Sequence, residues 1–403
     1  MTEEVCDVLV IGGGPAGATA AALLAAGGVS VIVAEQKLFP RQKVCGEFLS
    51  PGAFPVLSRL GVLDEVFSTA GPDISQLRVY PSVGLTMKTA MPPDRMGRFA
   101  RGVGRHHLDT ILLERARKLG AQIFSPCHVR KVVGNAGDGF VVYTDQYGSI
   151  NSKLVIFANG LPPMPAGPTG TSSGAPPRRS SQSLIGFKTY FTNCRMDEHC
   201  IGLYGSRGIY GGLLRSGDAL GQGRYNFAFV AKRSLLESLA GADGLLARLR
   251  QFNNPLDRAL AHAQRVDRWY AWGPLMPGVR RLYDDGRFYA GNAAGEVQPL
   301  VGEGMTLAIR SGALIADTIC LGLRGNLSHR EIEQRYEVLW REEFSQRHFW
   351  GNWFAWMLME PIAGLAASVI GQIPQVAGWA VGASGKRPAG ARGANLPANS
   401  RPW

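Results

Sequence analysis

The sequence has little of what several functional classes need. Its six cysteines form no CxxC pair, and Cys194, His199 and Cys200 lack a matching second pair of ligands, so we expect no metal site. The N-terminus is acidic and the first apolar run contains Asp7, which does not fit a secretory signal. We therefore predict a cytoplasmic protein with free thiols.

The charge balance is strongly positive, at a formal net charge of +12. No long run of lysine and arginine is interleaved with aromatic residues, so we expect no nucleic-acid partner. An anionic ligand, an acidic carrier or a membrane surface fits the charge better, and a generally basic solvated face remains an alternative. The 403 residues, 45 % of them hydrophobic, suffice for one large core or for two domains that share an interface.

The first 35 residues have the pattern of a βαβ unit that begins a parallel sheet. A buried strand is predicted at residues 5–11, a helix of small residues at 16–26, and a second strand at 29–34. A helix followed by a strand is predicted at residues 105–124, and two strands with a turn between them are predicted at 140–160. Residues 76–95 and 184–270 instead alternate apolar and polar side chains, which predicts an antiparallel sheet.

The glycines after the first strand have the spacing of a dinucleotide-binding turn, Gly12-x-Gly14-x-x-Gly17. Gly12 permits the turn, Gly14 lets the backbone approach a pyrophosphate, and Gly17 lets the helix lie close to the strand. Glu35 closes the second strand, where a carboxylate can accept both hydroxyls of an adenosine ribose and would repel a 2′-phosphate. The pattern therefore predicts bound FAD or NAD.

Three further segments resemble the flavoprotein hydroxylase superfamily. "GNAAGEVQPLVGEGM", residues 291–305, resembles the segment usually written GDAAG…P…G.G, and "RQKVCGEFLSP", residues 41–51, resembles the segment placed beside the flavin. "RGVGRHHLD" resembles the arginine-containing start of a helix. The chain is therefore identified as an FAD-dependent oxidoreductase that resembles aromatic hydroxylases, geranylgeranyl reductases and flavin halogenases, with a likeness that covers residues 1 to about 320.

The resemblance implies an α/β fold with a Rossmann-like FAD-binding domain in three layers, an inserted antiparallel-sheet substrate domain and a helical C-terminal region. The predicted domains are a discontinuous FAD-binding domain (1–75, 96–160 and 271–330), a substrate domain (76–95 and 184–270), a flexible linker rich in Pro, Gly and Ser (161–183), and a hydrophobic helical C-terminal region with a basic tail (331–403).

The resemblance also implies the residues that contact FAD, and it places Arg41 and Arg105 at the phosphates, Val129 at the adenine and Asn292 at the ribityl chain. A helix N-terminus near Met305 would stabilise the negative charge of the reduced flavin. The full predicted set is Gly12, Gly14, Pro15, Ala16, Gly17, Glu35, Arg41, Lys43, Cys45, Arg105, Val129, Gly160, Asn292, Pro299, Gly302, Gly304 and Met305. Asn292 stands where the family usually has Asp, which removes a negative charge near the cofactor.

The sequence has a single dinucleotide fingerprint, so reducing equivalents are expected from visiting NAD(P)H or from a separate flavin reductase. We expect a monooxygenase that hydroxylates or epoxidises a bulky hydrophobic or carrier-bound substrate through a C4a-peroxyflavin. Two alternatives stay open, an alkene reductase or dehydrogenase of the geranylgeranyl reductase type and a flavin-bearing assembly or maturation factor. Halogenation is less favoured because the WxWxIP pattern is absent, although Lys43 is a candidate for the lysine of that chemistry.

Three residues are candidates for catalysis. Cys45 could tune the flavin or donate a proton, Glu47 could be a general acid or base, and Tyr210 could line the substrate pocket. Each has a structural alternative. Cys45 could be a small residue that fills a gap, Glu47 could be a carboxylate at the surface or bonded to FAD, and Tyr210 could lie away from the substrate. His106 and His107 flank the start of a helix, so capping or solvation is expected for them.

Residues 349–382 contain a single charged side chain, Glu360. The segment also contains the aromatic residues Trp350, Trp353, Phe354, Trp356 and Trp379. Three interpretations stay open: a membrane-spanning helix, peripheral contact with a membrane or an apolar partner, and a buried helical pair that caps the enzyme.

Overall fold

The computed structural model describes residues 4–160, 183–217 and 223–383. The predicted linker at 161–183 therefore lies outside the described residues apart from its last position, and so does the basic end of the chain. The strands are β1 (Glu4–Ile11), β2 (Val31–Ala34), β3 (Phe48–Leu49), β4 (Asp73–Ile74), β5 (Gln76–Tyr80), β6 (Met87–Ala90), β7 (Ala100–Gly102), β8 (Gln122–Phe124), β9 (Val129–Asn135), β10 (Gly139–Thr144), β11 (Ser149–Phe157), β12 (Leu184–Thr192), β13 (Cys200–Ser206), β14 (Ile209–Arg215), β15 (Tyr225–Lys232), β16 (Gln264–Arg265), β17 (Tyr270–Leu275), β18 (Gly278–Val279), β19 (Tyr283–Asp284), β20 (Arg287–Tyr289) and β21 (Gly295–Glu296). The helices are α1 (Pro15–Ala26), α2 (Phe54–Arg59), α3 (Leu63–Ser68), α4 (Arg105–Lys118), α5 (Arg233–Ser238), α6 (Gly241–Phe252), α7 (Asn254–Ala259), α8 (Gly304–Arg324), α9 (His329–Met359), α10 (Pro361–Ile370) and α11 (Pro374–Val381).

The first sheet has a parallel core in the order β20-β11-β1-β2-β8. Helices α1, α4 and α8 pack on one face, and the antiparallel β9–β10 extension covers the other with Phe140 and Val142. Because both faces are covered, β1 is apolar almost throughout, and Val8, Leu9 and Val10 are fully buried. The predicted three-layer Rossmann-like fold is confirmed.

The second sheet has the order β16-β12-β15-β14-β13-β5-β6, with β17 also paired to β12. Its strand pairs are antiparallel as predicted, except that β5 runs parallel to β13. Since β17 is part of it, this sheet continues past residue 270 to residue 275. One face packs against α6 and α7 through an aromatic core that includes Phe227 and Phe229, and the opposite face is directed toward the first domain.

The helical C-terminal region begins with α9, whose first turn carries a capping box between Ser328 and Glu331. A stripe at Tyr336, Trp340 and Phe344 is fully buried in the main core, so this helix is part of the first domain's packing. The chain bends by 111° between α9 and α10. Among the described residues, α8, and α9 and α10 taken together, have the length and composition of a membrane span, but most of α8 is buried.

His348 on α9 supplies a pH-dependent contribution to stability. The ring is 5 % exposed and lies 5.6 Å from the Trp340 ring between centroids. Burial, and then the charges of Arg280 and Arg347, lower the pKa of His348 to about 4. The unfolded chain therefore takes up the proton first, so stability is complete above the unfolded pKa of about 6.5 and is lost as the pH falls toward 4.

We predict that acidification to about pH 4 lowers the free energy of unfolding by on the order of 3 kcal/mol through His348, since each pKa unit corresponds to about 1.36 kcal/mol. Urea unfolding of the wild type and His348→Gln at neutral pH and near pH 4 measures the effect. The variant should lose less stability on acidification by that amount. Parallel pH dependences in the two proteins would contradict the prediction.

Candidate active site

One cavity of about 1450 Å³ lies between the two sheets, at the carboxyl ends of β1 and β2. Ligands of open parallel sheets bind at this edge. Pockets for single drug-sized ligands have volumes of roughly 300–1000 Å³. The cavity therefore has room for a dinucleotide cofactor together with a second molecule.

The glycine turn forms the cavity wall at the start of α1. Gly12 has φ +106°, and a Cβ placed on it would lie 2.8 Å from the backbone of Ala158. A Cβ on Gly17 would lie 1.9 Å from the carbonyl oxygen of Gly12, so this position needs glycine for close packing of helix and strand. Gly14 instead faces the cavity in ordinary extended backbone at φ −70° and ψ −177°. Gly12 and Gly17 thus have the steric roles expected from the sequence, whereas the role of Gly14 at a pyrophosphate stays a prediction.

Glu35 holds the turn from the end of β2. Its two carboxylate oxygens accept hydrogen bonds from the backbone N–H groups of Gly13 and Lys37, both at 2.7 Å. The side chain is buried but lines the cavity, and each oxygen keeps a second lone pair. This arrangement fits a carboxylate that orders the loop and can also accept ribose hydroxyls.

Cationic side chains face the N-terminus of α1. The Arg105 guanidinium pairs with Asp109 through Nε and Nη2 at 2.6 and 2.7 Å, and Arg41 Nη2 lies 3.6 Å from the same carboxylate. A Cβ on Gly14 would lie 3.6 Å from Arg41 Nη2 and 4.0 Å from Arg105 Nη2. Burial acts to lower the pKa of Arg105, but Asp109 raises it overall. The pKa of Lys43 is lowered to about 8, first by burial and then by the charges of Arg105 and Arg41.

These cations and the helix N-terminus fit a pyrophosphate. Nε of Arg41 is buried and has no hydrogen-bond partner among the described residues, so its N–H group can donate to a bound anion. Three cations share one carboxylate here, which leaves an excess of positive charge beside Gly14. The residues present therefore fit the phosphate groups of FAD.

The second glycine segment converges on the same cavity from the other side. Gly302 ends a short helical turn in the left-handed conformation at φ +70°, and α8 then begins at Gly304 with its N-terminus at the cavity. Asn292 lies in the turn after β20, where its backbone oxygen accepts a hydrogen bond from Arg280. The predicted residues that line the cavity are Gly12, Gly14, Pro15, Ala16, Glu35, Arg41, Lys43, Cys45, Arg105, Val129, Gly160, Asn292, Pro299, Gly302, Gly304 and Met305, whereas Gly17 lies behind its wall.

Glu47 is the centre of a buried polar cluster that the sequence did not reveal. Its carboxylate accepts hydrogen bonds from Lys188 Nζ at 2.5 Å, Tyr190 Oη at 2.6 Å and Ser216 Oγ at 2.7 Å. The side chains of Glu47 and Lys188 are fully buried. Burial acts to raise the pKa of Glu47, but Lys188 and the hydroxyl donors lower it overall, so the carboxylate is ionised.

Glu47 has φ +58°, a backbone conformation that is uncommon for residues other than glycine. Its hydrogen bonds join the segment beside the glycine turn to β12 and β14 of the second sheet. This geometry gives Glu47 a positioning role between the two domains, and its catalytic role stays a prediction. A lysine within the apolar strand "IGFKTYF" was the one signal that could have indicated Lys188.

The other two catalytic candidates also line the cavity. Cys45 Sγ accepts a hydrogen bond from the backbone N–H of Glu47 at 3.3 Å. The Tyr210 hydroxyl donates to Oε1 of Gln298 at 2.7 Å, and burial raises the pKa of Tyr210. The phenol is therefore protonated at neutral pH, and a proton-donating role for either residue stays a prediction.

The inner face of the second sheet gives the rest of the cavity an apolar wall. Alternate residues of β13, β14 and β15 point toward the cavity, because successive side chains of a strand point to opposite faces. Two of these positions are as small as Gly212 and Ala228, which leaves open volume above the sheet. The wall consists of Gly186, Ile201, Leu203, Tyr210, Gly212, Leu214, Ala228, Val230 and Leu275. We call this part of the cavity the apolar chamber.

Comparison with protein families finds an FAD binding domain at residues 5–161, which includes the glycine turn. Similar curated proteins include conditioned medium factor receptor 1 of Dictyostelium discoideum, 23 % identical over 85 % of this chain and 68 % of that protein. Digeranylgeranylglycerophospholipid reductase 2 of Methanopyrus kandleri is 26 % identical over 84 % of this chain and 83 % of its own. A 1H-pyrrole-2-carbonyl-[peptidyl-carrier protein] chlorinase of Pseudomonas fluorescens is 31 % identical, but over only 40 % of each chain.

Solved structures confirm the fold. The flavin-dependent brominase Bmp2 superposes with a TM-score of 0.75 at 17 % identity, over 95 % of this chain and 94 % of that one. PqsL, a probable FAD-dependent monooxygenase from Pseudomonas aeruginosa, superposes with a TM-score of 0.70 at 19 % identity, over 91 % of this chain and 100 % of that one. Similar architectures thus occur in proteins with different reactions, so the reaction of this chain has to be argued from its site.

Proposed function

We propose, on the premise that the chain belongs to the FAD-dependent oxidoreductase superfamily of aromatic hydroxylases, geranylgeranyl reductases and flavin halogenases, that it is a monooxygenase. Its substrate is a bulky apolar molecule, free or attached to a carrier. The observation that carries the proposed substrate class is the apolar chamber, which continues from the cofactor site within one cavity.

The chain's own residues would bind and orient the cofactor. Arg41, Lys43 and Arg105 would neutralise the phosphates, and Glu35 would hold the ribose. The N-terminus of α8 would place its partial positive charge near the flavin ring. The cofactor supplies the redox chemistry when it is bound, and the protein supplies position, electrostatics and exclusion of water.

The apolar chamber would hold the substrate through contact area and contribute few hydrogen bonds. Apart from Tyr210, whose hydroxyl donates to Gln298, the positions of its wall carry aliphatic side chains or none. The polar cluster around Glu47 is already satisfied internally. A flat or elongated apolar group therefore fits better than a small polar metabolite. NAD(P)H or a separate reductase would supply the electrons, as expected from the single dinucleotide fingerprint.

An alkene reductase is the second candidate. The observation that favours it is the match to the digeranylgeranylglycerophospholipid reductase, which extends over most of both chains. Both candidates need an apolar substrate beside reduced flavin, so they differ in the fate of the electrons. Oxygen receives them in the first reaction, and the carbon–carbon double bond of the substrate receives them in the second.

The two reactions are separated by mass spectrometry on the FAD-loaded chain, reduced by light with EDTA as the electron donor and without a nicotinamide. The probe is a geranylgeranyl lipid, whose double bonds can be either epoxidised or reduced, incubated under ¹⁸O₂ and without oxygen. Incorporation of ¹⁸O into a product supports the monooxygenase, whereas gain of two hydrogens without oxygen supports the reductase. Reduced enzyme that reacts with oxygen more slowly than free reduced FAD would contradict the monooxygenase.

Gly212→Phe tests whether the apolar chamber is the substrate site. A Cβ at this position would meet Leu203 at 3.4 Å, an ordinary contact, so the ring would extend into the chamber. We predict a fall in product formation of at least about tenfold with unchanged bound flavin, since one methylene in an apolar pocket changes rates by about 10–200-fold. Gly212→Ala is the matched control, and equal activity of the two variants would place the substrate elsewhere.

A further inference from the structure

Helix α10 carries its large aliphatic side chains on the outside. Ile362 is 86 % exposed, and Leu365 and Val369, one and two turns further, are 43 % and 56 % exposed. The buried positions between them are Gly364 and Ser368, small residues that pack against the protein. This is the reverse of the arrangement in a helix that covers a core, where the apolar stripe is turned inward.

The exposed apolar surface continues onto the loop between β5 and β6. The backbone N–H of Leu85 donates a hydrogen bond to Ser368 Oγ at 3.0 Å, which fixes the loop beside the helix. Val83 and Leu85 are both about half exposed. We define the apolar patch as Val83, Leu85, Ile362, Leu365, Val369, Ile370 and Ile373. A contiguous exposed patch of this kind marks an interaction surface.

Exposed tryptophans lie on the helices before and after α10. Trp356, in the last turn of α9, is 56 % exposed, and Trp379 on α11 is 42 % exposed. Tryptophan is enriched where one end of a ring meets hydrocarbon and the other meets water. Their positions on the helices before and after α10 therefore fit a lipid headgroup region.

Cationic side chains lie on elements that contact α9 and α11. Lys88 is exposed on β6, the strand against which α11 packs, and Arg207 is exposed in the turn that contacts the last residue of α9. The acidic residue at the start of α10, Glu360, lies 3.6 Å from Lys232. The sequence that follows α11 has four cations and no acidic residue: Lys386, Arg387, Arg392 and Arg401. This charge complements an anionic surface.

We propose that the apolar patch docks the enzyme on the surface of a bilayer that contains anionic phospholipids. The ten residues of α10 are about 15 Å long at about 1.5 Å per residue, half of the hydrocarbon thickness of about 30 Å, so the helix cannot span the bilayer. It lies parallel to the surface with Ile362 and Val369 inserted below the headgroups. Because the chain bends by 111° between α9 and α10, α10 does not extend the axis of α9.

The test is co-sedimentation of the full-length, FAD-loaded chain with vesicles of phosphatidylcholine and phosphatidylglycerol, and of phosphatidylcholine alone. The wild type should bind the anionic vesicles more tightly and should lose affinity as salt is raised. The variant Ile362→Asp/Val369→Asp should reduce the partition coefficient by at least about tenfold, since it removes apolar insertion and adds like charge. Both positions are exposed, so bound flavin and melting temperature should be unchanged.

Val338→Asp is the matched control, because Val338 is 55 % exposed on the first half of α9, outside the patch, and should leave vesicle binding unchanged. Three results would overturn the proposal. The wild type could fail to bind anionic vesicles, or the patch variant could bind as well as the wild type. Light scattering could also reveal a dimer that the patch variant dissociates without any vesicle binding, in which case a second copy of the chain covers the patch.

Discussion

Replacement of Lys188 by methionine is expected to lower the free energy of unfolding by about 3–5 kcal/mol, because it leaves an ionised carboxylate buried without its counter-charge. Neither Lys188 nor Glu47 has any solvent-exposed side-chain surface. The hydroxyl groups of Tyr190 and Ser216 would still donate to Glu47, but neither carries a positive charge. The ammonium group also donates to Gln42, so its loss would release the segment that carries Lys43 and Cys45.

Urea unfolding of three variants measures this prediction. Lys188→Met and Glu47→Gln each break the pair, and the double variant removes both charges, so a double-mutant cycle isolates their coupling. The double variant should be more stable than Lys188→Met alone, since a buried pair replaced as a whole costs little. A loss below about 1 kcal/mol for Lys188→Met would show that water or a shifted side chain compensates the carboxylate.

The pH dependence of the same pair has a defined sign. The pKa of Glu47 is lowered in the folded chain by Lys188 and the two hydroxyl donors, against the effect of burial. Its contribution is therefore complete above the unfolded pKa of about 4.3 and is lost as the pH falls through the folded value. This acid loss occurs at lower pH than that of His348, so the two contributions are separable.

The glycine turn could be predicted from the sequence because its information is local. Gly12 and Gly17 each answer a steric demand made by the turn itself or by the end of the neighbouring strand, whereas a Cβ on Gly14 would meet only the ends of two guanidinium groups. The turn at Gly302 was located by resemblance, and its approach to Gly14 depends on the whole sheet order. Local pattern thus predicted the first domain well, since a parallel sheet repeats one unit.

The polar cluster around Glu47 could not be predicted in the same way. Glu47 and Lys188 are 141 positions apart, and they meet because two separate sheets face one another. Nothing in the neighbourhood of either residue encodes that partner. Glu47 was therefore recognised as a candidate in a flavin-side segment, but the lysine that fixes its ionisation was not.

Residues 349–382 are partly buried and partly exposed. Ala355, Leu358 and Met359 at the end of α9 are buried, whereas the large apolar residues of α10 are exposed. Hydropathy is similar inside a core and at an apolar surface, so composition could not separate the two helices. The difference arises from Gly364 and Ser368, whose small size lets the loop at Gly84 pack closely and turns the larger side chains outward.

Replacement of Gly14 by alanine is expected to weaken FAD binding by about tenfold to a hundredfold, or about 1.4–2.8 kcal/mol, while the protein without cofactor keeps its stability within about 0.5 kcal/mol. The added methyl group would meet only the ends of two guanidinium groups, at 3.6 and 4.0 Å, and the backbone at φ −70° suits alanine. The methyl group would, however, occupy the space through which a pyrophosphate approaches the first turn of α1.

Two further glycine variants make this prediction discriminating. Gly12→Ala should destabilise the fold itself, because φ is +106° and its Cβ would lie 2.8 Å from Ala158. Gly244→Ala, in α6 on the far side of the second sheet, meets its neighbours at 3.4 Å or more, so it should leave FAD affinity unchanged and raise stability by at most about 1 kcal/mol. Fluorescence titration with FAD and thermal unfolding with and without FAD separate the three cases.

If Gly14→Ala bound FAD as tightly as the wild type, the phosphates would not lie at this turn, and the cations of Arg41 and Arg105 would need another ligand. Loss of affinity with an intact fold would instead place the pyrophosphate at Gly14, which in turn directs the flavin toward Met305 and the apolar chamber.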